Sequence, residues 1–237
     1  MMRIWALARR EFWSCFLSPV GYVVIGFFLA VTGFVFMRGF DAGKPASMRS
    51  VFELGMWMLL FVCPAITMRA VSEERRMGTL EMLMTCPVRD GEVILGKYLG
   101  ALLFLGVMLL CTGPQVALLE WYGRPDYGEV LCGYLGLFLA GAVYLAGGML
   151  ASAMTSSQVV AFLVTFFFWL GLSLGTKFLP GLLPEPWSTA AYAADPDPRL
   201  RDFAIGLIDT SNIAYFGSLI VLFLVLAGRA LEARRWP

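Results

Sequence analysis

Five stretches without a single Asp, Glu, Lys or Arg dominate this chain: residues 12–37, 54–68, 98–119, 130–176 and 210–228. A bilayer core about 30 Å thick is crossed by roughly 20 helical residues. The run 54–68 is short for that, but Val51 and Phe52 extend it and Arg69 can snorkel to the interface. The run 130–176 holds two helices, broken at the polar tetrapeptide Thr155-Ser156-Ser157-Gln158. The pattern predicts six transmembrane helices, at about 20–37, 51–70, 97–118, 129–153, 159–178 and 211–229. The fold class is therefore all-α and polytopic.

Ahead of the first span, residues 2–17 repeat with helical period. Ile4, Trp5, Ala8, Phe12, Cys15 and Phe16 share one face, and Arg3, Arg10, Glu11 and Ser14 the opposite one, with Arg9 at the boundary. Arg heads and Trp rings suit a helix lying in the plane of the interface. Ser18-Pro19 then marks the bend into the bilayer.

Composition strengthens this picture. Of 237 residues, 59% are hydrophobic and 15% charged, whereas soluble domains run near half apolar and about a quarter charged. The segments between spans are too short to fold alone, so residues 1–237 form one membrane domain. With the N-terminus inside, 11 of the 18 basic residues fall on the inner side. The positive-inside rule then places both termini and segment 69–97 in the cytoplasm, for a protein of the cell (inner or plasma) membrane. No small-residue cleavage site follows the first span, which is read as retained. The five cysteines are read as small buried apolar residues, and there is no histidine. No metal or cofactor is expected, and a formal charge of +1 makes no case for nucleic acid.

Several chemistries are excluded. The middles of the predicted spans carry no ionisable residue. Such a residue costs about 2.5–3.5 kcal/mol to insert and stays where it works. Its absence argues against ion coupling and intramembrane carboxylate catalysis. Ser152, Ser156 and Ser157 have no histidine base. Asp209, Asp202 and Glu129 are thin candidates for an enzyme acting on lipids. The run 91–98 reads G-x-x-x-x-G-K-Y. A phosphate-binding loop needs Ser or Thr where Tyr98 stands, and a strand before it. The chain is not an enzyme by this reading, and any ATP is hydrolysed by another subunit.

Small residues four apart mark close-packing faces: Gly96 and Gly100, Gly147 and Ala151, Gly148 and Ser152, Gly171 and Gly175. Phe166-Phe167-Phe168-Trp169 covers too many helix faces for a ligand cage and faces lipid in part. The outer segment 179–210, rich in proline and acid, is expected to form short interfacial helices.

Ten charges lie between Arg69 and Lys97, too many for hydrocarbon. Ser72 can cap a helix, with Glu73 and Glu74 favourable near its N-terminus. Gly78 permits a sharp change of direction. Thr79 would cap a second short helix, 80–85, ended by Pro87. Leu80, Leu83 and Met84 share one face of it, with Glu81 and Thr85 on another. Such an element suits a groove of a cytosolic partner.

Glu73-Glu74-Arg75-Arg76-x-Gly78-Thr79-x-Glu81-x-Leu83-x-Thr85-x-Pro87-Val88, followed by Gly96-Lys97-Tyr98-x-Gly100-Ala101, is similar to the signature of ABC-2 type permease subunits. The branch it most resembles is the gliding-motility-associated permeases and their relatives. Arg10-Glu11-Phe12, Ser18-Pro19-x-Gly21-Tyr22, and the C-terminal Phe203, Gly206, Asp209, Tyr215, Phe216 and Arg234-Arg235-Trp236 extend the likeness along nearly the whole chain.

The resemblance implies a type V exporter-like fold with an N-terminal elbow helix (1–19), a cytoplasmic coupling segment (71–96) containing a coupling helix, and an extracytoplasmic segment (179–210). It implies a permease subunit of an ATP-binding cassette exporter, paired with a like or related permease subunit and docked on a cytosolic ATPase. Membrane lipid and an accessory extracytoplasmic subunit complete the expected partners. Glu73, Glu74, Arg75, Arg76, Gly78, Thr79, Leu80, Glu81, Leu83, Thr85 and Pro87 would form the ATPase-coupling interface. A non-transporting anchor for a cytosolic ATPase complex would carry the same residues.

Overall fold

The computed structural model describes residues 2–39, 47–78, 90–123, 126–178 and 196–233. The chain opens with α1 (Met2–Leu17) and turns at Ser18, whose hydroxyl accepts the Val20 N–H and caps α2 (Pro19–Arg38). Pro19 at the first helical position lacks the N–H that would be orphaned there. Helix α3 (Arg49–Thr67) passes through a tight turn at 68–71 into the short α4 (Ser72–Arg76).

The third span is broken, against the expectation of one helix over 97–118. Helix α5 (Asp90–Leu110) stops at Cys111-Thr112, and α6 (Gly113–Tyr122) restarts with Pro114 near its N-terminus. The ring of Pro114 clashes with a continuing helix and removes one backbone donor. The Thr112 hydroxyl meets the Leu109 carbonyl at 2.6 Å and the Tyr134 hydroxyl at 2.6 Å, so the break is sealed by side chains.

Helix α7 (Tyr127–Met154) is capped by Asp126 and forms a tight hairpin with α8 (Gln158–Phe178) across Thr155-Ser156-Ser157. The short α9 (Pro196–Ala204) leads to α10 (Thr210–Glu232), capped by Asp209. Counting α5 and α6 as one, six helical stretches among the described residues are long and apolar enough to cross a membrane. The protein is an all-α, multi-pass membrane protein.

Helix α7 is the axis of the bundle and packs against α3, α5, α8, α9 and α10. Its small residues make this crowding workable: Leu105 lies against Gly141, Trp169 against Gly147, Thr67 against Gly148 and Phe203 against Gly136. By contrast, α2, α8 and α10 leave broad apolar faces open. Phe167 and Phe168 point outward there while Trp169 is buried, so the aromatic run divides between the open surface and the interior of the bundle. A Cβ at Gly171 or Gly175 would meet nothing within 4 Å among the described residues.

Candidate functional site

At the end of the bundle where α1 lies, helix α1 packs along α5. The groove that receives it is cut by glycine: a Cβ on Gly96 would stand 2.6 Å from Leu7, and one on Gly100 would stand 2.6 Å from Glu11 and 2.8 Å from the Ala8 carbonyl. Close approach of two helices needs such residues. The docked face of α1 runs through Leu7, Ala8, Glu11 and Phe12, while Trp5 and Trp13 are exposed. Ala8, Phe12, Cys15 and Phe16 of the apolar face read from the sequence do turn inward, whereas Trp5 is exposed and Glu11, read on the opposite face, joins them. Periodicity cannot separate a lipid-facing tryptophan from a protein-facing alanine, and Glu11 turns inward because a buried cation waits for it.

That cation is Lys97, with 4% of its side chain exposed. Its Nζ lies 3.2 Å from Glu11 Oε2 and 2.8 Å from Glu74 Oε1. One ammonium thus joins α1, α4 and the first turns of α5. A second knot sits beside it. Arg69 Nη1 donates to the Ser18 hydroxyl at 2.7 Å, and Arg69 Nε lies 3.1 Å from Glu73 Oε2. The corner between α1 and α2 is thereby tied to α4. Charged hydrogen bonds of this kind are about twice as strong as neutral ones.

Helix α4 is held from a third side by α7. The Val71 and Ser72 N–H groups both donate to Ser152 Oγ at 3.1 Å. The expected cap, Ser72, instead turns its hydroxyl back to the Met68 carbonyl. A turn wound directly out of α3 leaves Ser72 already helical, so the orphan amides are met across the fold. Arg75 Nη1 reaches the Ala153 carbonyl at 3.4 Å.

Between α1, the first turns of α2, the end of α3, α4 and α5 lies a cleft of about 560 Å³. Burial raises the Glu11 carboxyl above its ordinary value, an effect that Lys97 only partly offsets. Burial also pushes the Cys15 thiol up to about 12, so Cys15 behaves as a small apolar residue.

Of the residues singled out from sequence, Glu73 and Glu74 face inward and are engaged within the chain, Arg75 contacts α7, and Arg76 is exposed. Gly78 has φ of +71°, the left-handed conformation expected of a change of direction. Thr79, Leu80, Glu81, Leu83, Thr85 and Pro87, and with them the predicted helix 80–85, lie outside the described residues. Segment 179–195 does too, and its continuation contains α9. Sequence reasoning missed Glu11, Ser18, Arg69, Lys97 and Ser152. The Gly96–Gly100 spacing was the available signal for Lys97, since it marks a docked face one residue away. The run 91–98 lies within helix α5, which begins at Asp90, and Lys97 there binds carboxylates of its own chain.

Residues 43–194 match the family model described as "ABC-2 family transporter protein". The chain is 28% identical over 214 residues to the "Probable ABC transporter permease protein NosY" of Stutzerimonas stutzeri, covering 78% of this chain and 76% of that one. It is 26% identical to the Pseudomonas aeruginosa protein of the same name, over 65% of this chain and 59% of the relative. It is 28% identical to the "Probable multidrug ABC transporter permease YbhR" of Escherichia coli K12, over 68% of this chain and 44% of the relative. The match therefore spans less than two thirds of the latter two proteins.

Proposed function

The chain belongs to the ABC-2 family of transporter proteins, and from that membership we propose that it is an exporter's permease subunit, driven by a separate cytosolic ATP-binding cassette ATPase. The α1 end faces the cytoplasm of the cell membrane in this reading, with both termini on that side. The basic residues gathered there support it.

One observation carries the coupling role: α4, which leads directly into segment 79–89, is tied through Lys97 to the second half of α1 and through Arg69 to the corner between α1 and α2. Lys97 links Glu74 to Glu11, and Arg69 links Glu73 to Ser18. A partner that pushes on 79–89 moves α4. It cannot do so without dragging α1 and the first turn of α2, or breaking a buried charge contact. The ATPase interface is then the exposed Arg76, Gly78 and the residues Thr79, Leu80, Glu81, Leu83, Thr85 and Pro87. Glu73 and Glu74 transmit the motion rather than dock. A second permease subunit would cover the open faces of α2, α8 or α10.

Co-reconstitution with the cognate ATPase in liposomes tests this. Arg76→Glu is expected to lower ATPase stimulation with membrane insertion intact, and Lys97→Met to uncouple hydrolysis from substrate movement. Hydrolysis and binding without any movement across the bilayer would instead identify a scaffold. Labelling of Cys86 by an impermeant thiol reagent from the extracytoplasmic side would overturn the orientation.

A further inference from the structure

We infer that α6 is a hinged flap at the end of the bundle away from α1. It swings about Cys111-Thr112-Gly113 between a position latched on α2 and one parted from it. The pivot is built into the chain. Pro114 has no N–H to give the Leu110 carbonyl, so the break cannot heal into one continuous helix. A Cβ on Gly113 would meet nothing within 4 Å among the described residues, and a bare residue in open space can change its backbone angles. Thr112 meanwhile stays anchored, with its hydroxyl 2.6 Å from both the Leu109 carbonyl and the Tyr134 hydroxyl of α7. Beyond that pivot little holds the rod. Helix α5 packs along α1, α7 and α10, whereas α6 forms no extended contact with any helix among the described residues. Its buried side chains are Gln115 and Leu119, one turn apart, while Leu118, Glu120 and Trp121 are exposed.

The latch to α2 is a single buried amide. Gln115 Nε2 donates to Thr32 Oγ1 at 3.2 Å, and the Thr32 hydroxyl donates onward to the Phe28 carbonyl at 2.7 Å. Because the Thr32 proton is committed, the amide must face it with its NH2 group. Oε1 is then left buried without a hydrogen-bond partner among the described residues. An unmet buried acceptor costs about as much as one hydrogen bond contributes, or more. The latched position therefore gains little net polar energy, and outward movement relieves Oε1. The tip of α6 is tied by the Tyr127 hydroxyl, which donates to Glu120 Oε1 at 2.8 Å, an exposed contact that water can replace. Neighbouring elements do not share this freedom. Phe203 is wedged against Gly136, and Leu137 against Gly55, so α3, α7 and α9 stay in place while α6 moves.

The flap does not depend on the coupling role and is tested without the ATPase, by double electron–electron resonance on the full chain in nanodiscs. With the native cysteines replaced by alanine, one pair of spin labels spans α2 and α6, at Phe34→Cys and Leu118→Cys. A reference pair spans α2 and α5, at Val23→Cys and Leu103→Cys; all four sites are exposed. Labelled chain is diluted in unlabelled chain, so that a second copy adds no distance. The α2–α6 pair is expected to show two distances and the reference pair one. Thr32→Val keeps the side-chain shape and removes the acceptor. It should raise the longer-distance fraction about two- to tenfold, the range set by one hydrogen bond. Adding Gln115→Leu, which leaves no unmet polar group, should bring the fraction back. Pro114→Ala restores the missing donor and should narrow the pair to one distance, a reading that stands even if Thr32→Val folds poorly. A single α2–α6 distance in the wild type, an unchanged distribution in both Thr32→Val and Pro114→Ala, or an equal change in the reference pair would overturn the hinge.

Discussion

The two ends of the bundle are held by different physics. The α1 end adds charge to its close packing on Gly96 and Gly100: one buried ammonium serves two carboxylates, and one partly exposed guanidinium bridges a hydroxyl and a third carboxylate. At the far end, the contacts are steric and amide-mediated. Phe203 of α9 is wholly buried with its Cβ against Gly136, and Asn212 links Asp202 at 3.1 Å to Arg199 at 3.4 Å. The Arg199 guanidinium also lies over the Tyr215 ring, 4.0 Å from its centroid. Steric wedges are short-ranged and fail within a fraction of an ångström. Coulombic contacts weaken gradually with distance. An end that must yield to a partner and return is better served by the second kind, and an end that serves as a fixed pivot by the first.

The sharpest break in this comparison is Lys97→Met. It takes the shared ammonium from the Glu11 and Glu74 carboxylates, and removing one member of such a buried group costs about 3–5 kcal/mol. Equilibrium unfolding in mixed micelles should register that loss. Replacing Glu11 and Glu74 by Gln in the same chain should restore most of it, because no unpaired charge remains. A loss under 1 kcal/mol would mean that the three charges are solvated and that the α1 end is not ionically braced.

At the far end the corresponding probe is Gly136→Val. The first added carbon already meets Phe203 Cβ at 2.7 Å, and overpacking of this kind costs about 1–3 kcal/mol. Phe203→Ala in the same chain should recover part of it, whereas charge substitutions should not. A smaller effect is expected of Ser152→Ala, which removes the acceptor for the Val71 and Ser72 amides. Loss of a helix cap costs about 1 kcal/mol. Faster hydrogen exchange at those two amides would be its local signature, with the rest of α7 unchanged.

Much of the fold was legible in sequence because lipid imposes one rule on every span. The uncharged runs located six crossings, and Thr155-Ser156-Ser157 located the hairpin. The break at Cys111-Thr112 escaped because hydropathy is blind to a helix that bends without becoming polar; Pro114 was its only mark. The site was legible in a different degree. Gly78 and the charge cluster at 73–76 announced a special segment, yet a carboxylate that docks on a partner and one that clamps a lysine look alike along the chain. Glu11 and Lys97 are 86 residues apart, and no local pattern reports such a pairing. The glycines that permit it, Gly96 and Gly100, told of a close neighbour without naming α1.

The smallest expected effect concerns acidity, and it sets the ionic end apart from the steric one. Glu11 faces Lys97 from α5 and Glu74 from α4, with Arg10 on its own helix and Arg69 and Cys15 nearby. Burial raises its carboxyl above the ordinary value near 4.5, and Glu74 adds to the rise, while Lys97 and Arg10 oppose it. A carboxyl raised on folding contributes stability that is complete below its unfolded value and is lost as pH rises through the folded one. Lowering the pH from neutral toward about 4.5 should therefore stabilise the wild type slightly, through Glu11 alone. Glu11→Gln should flatten that dependence. Unfolding midpoints followed across the interval give the reading. If the variant keeps the wild-type slope, the titrating group lies elsewhere, and the α1 end loses the property that distinguishes it from the far end.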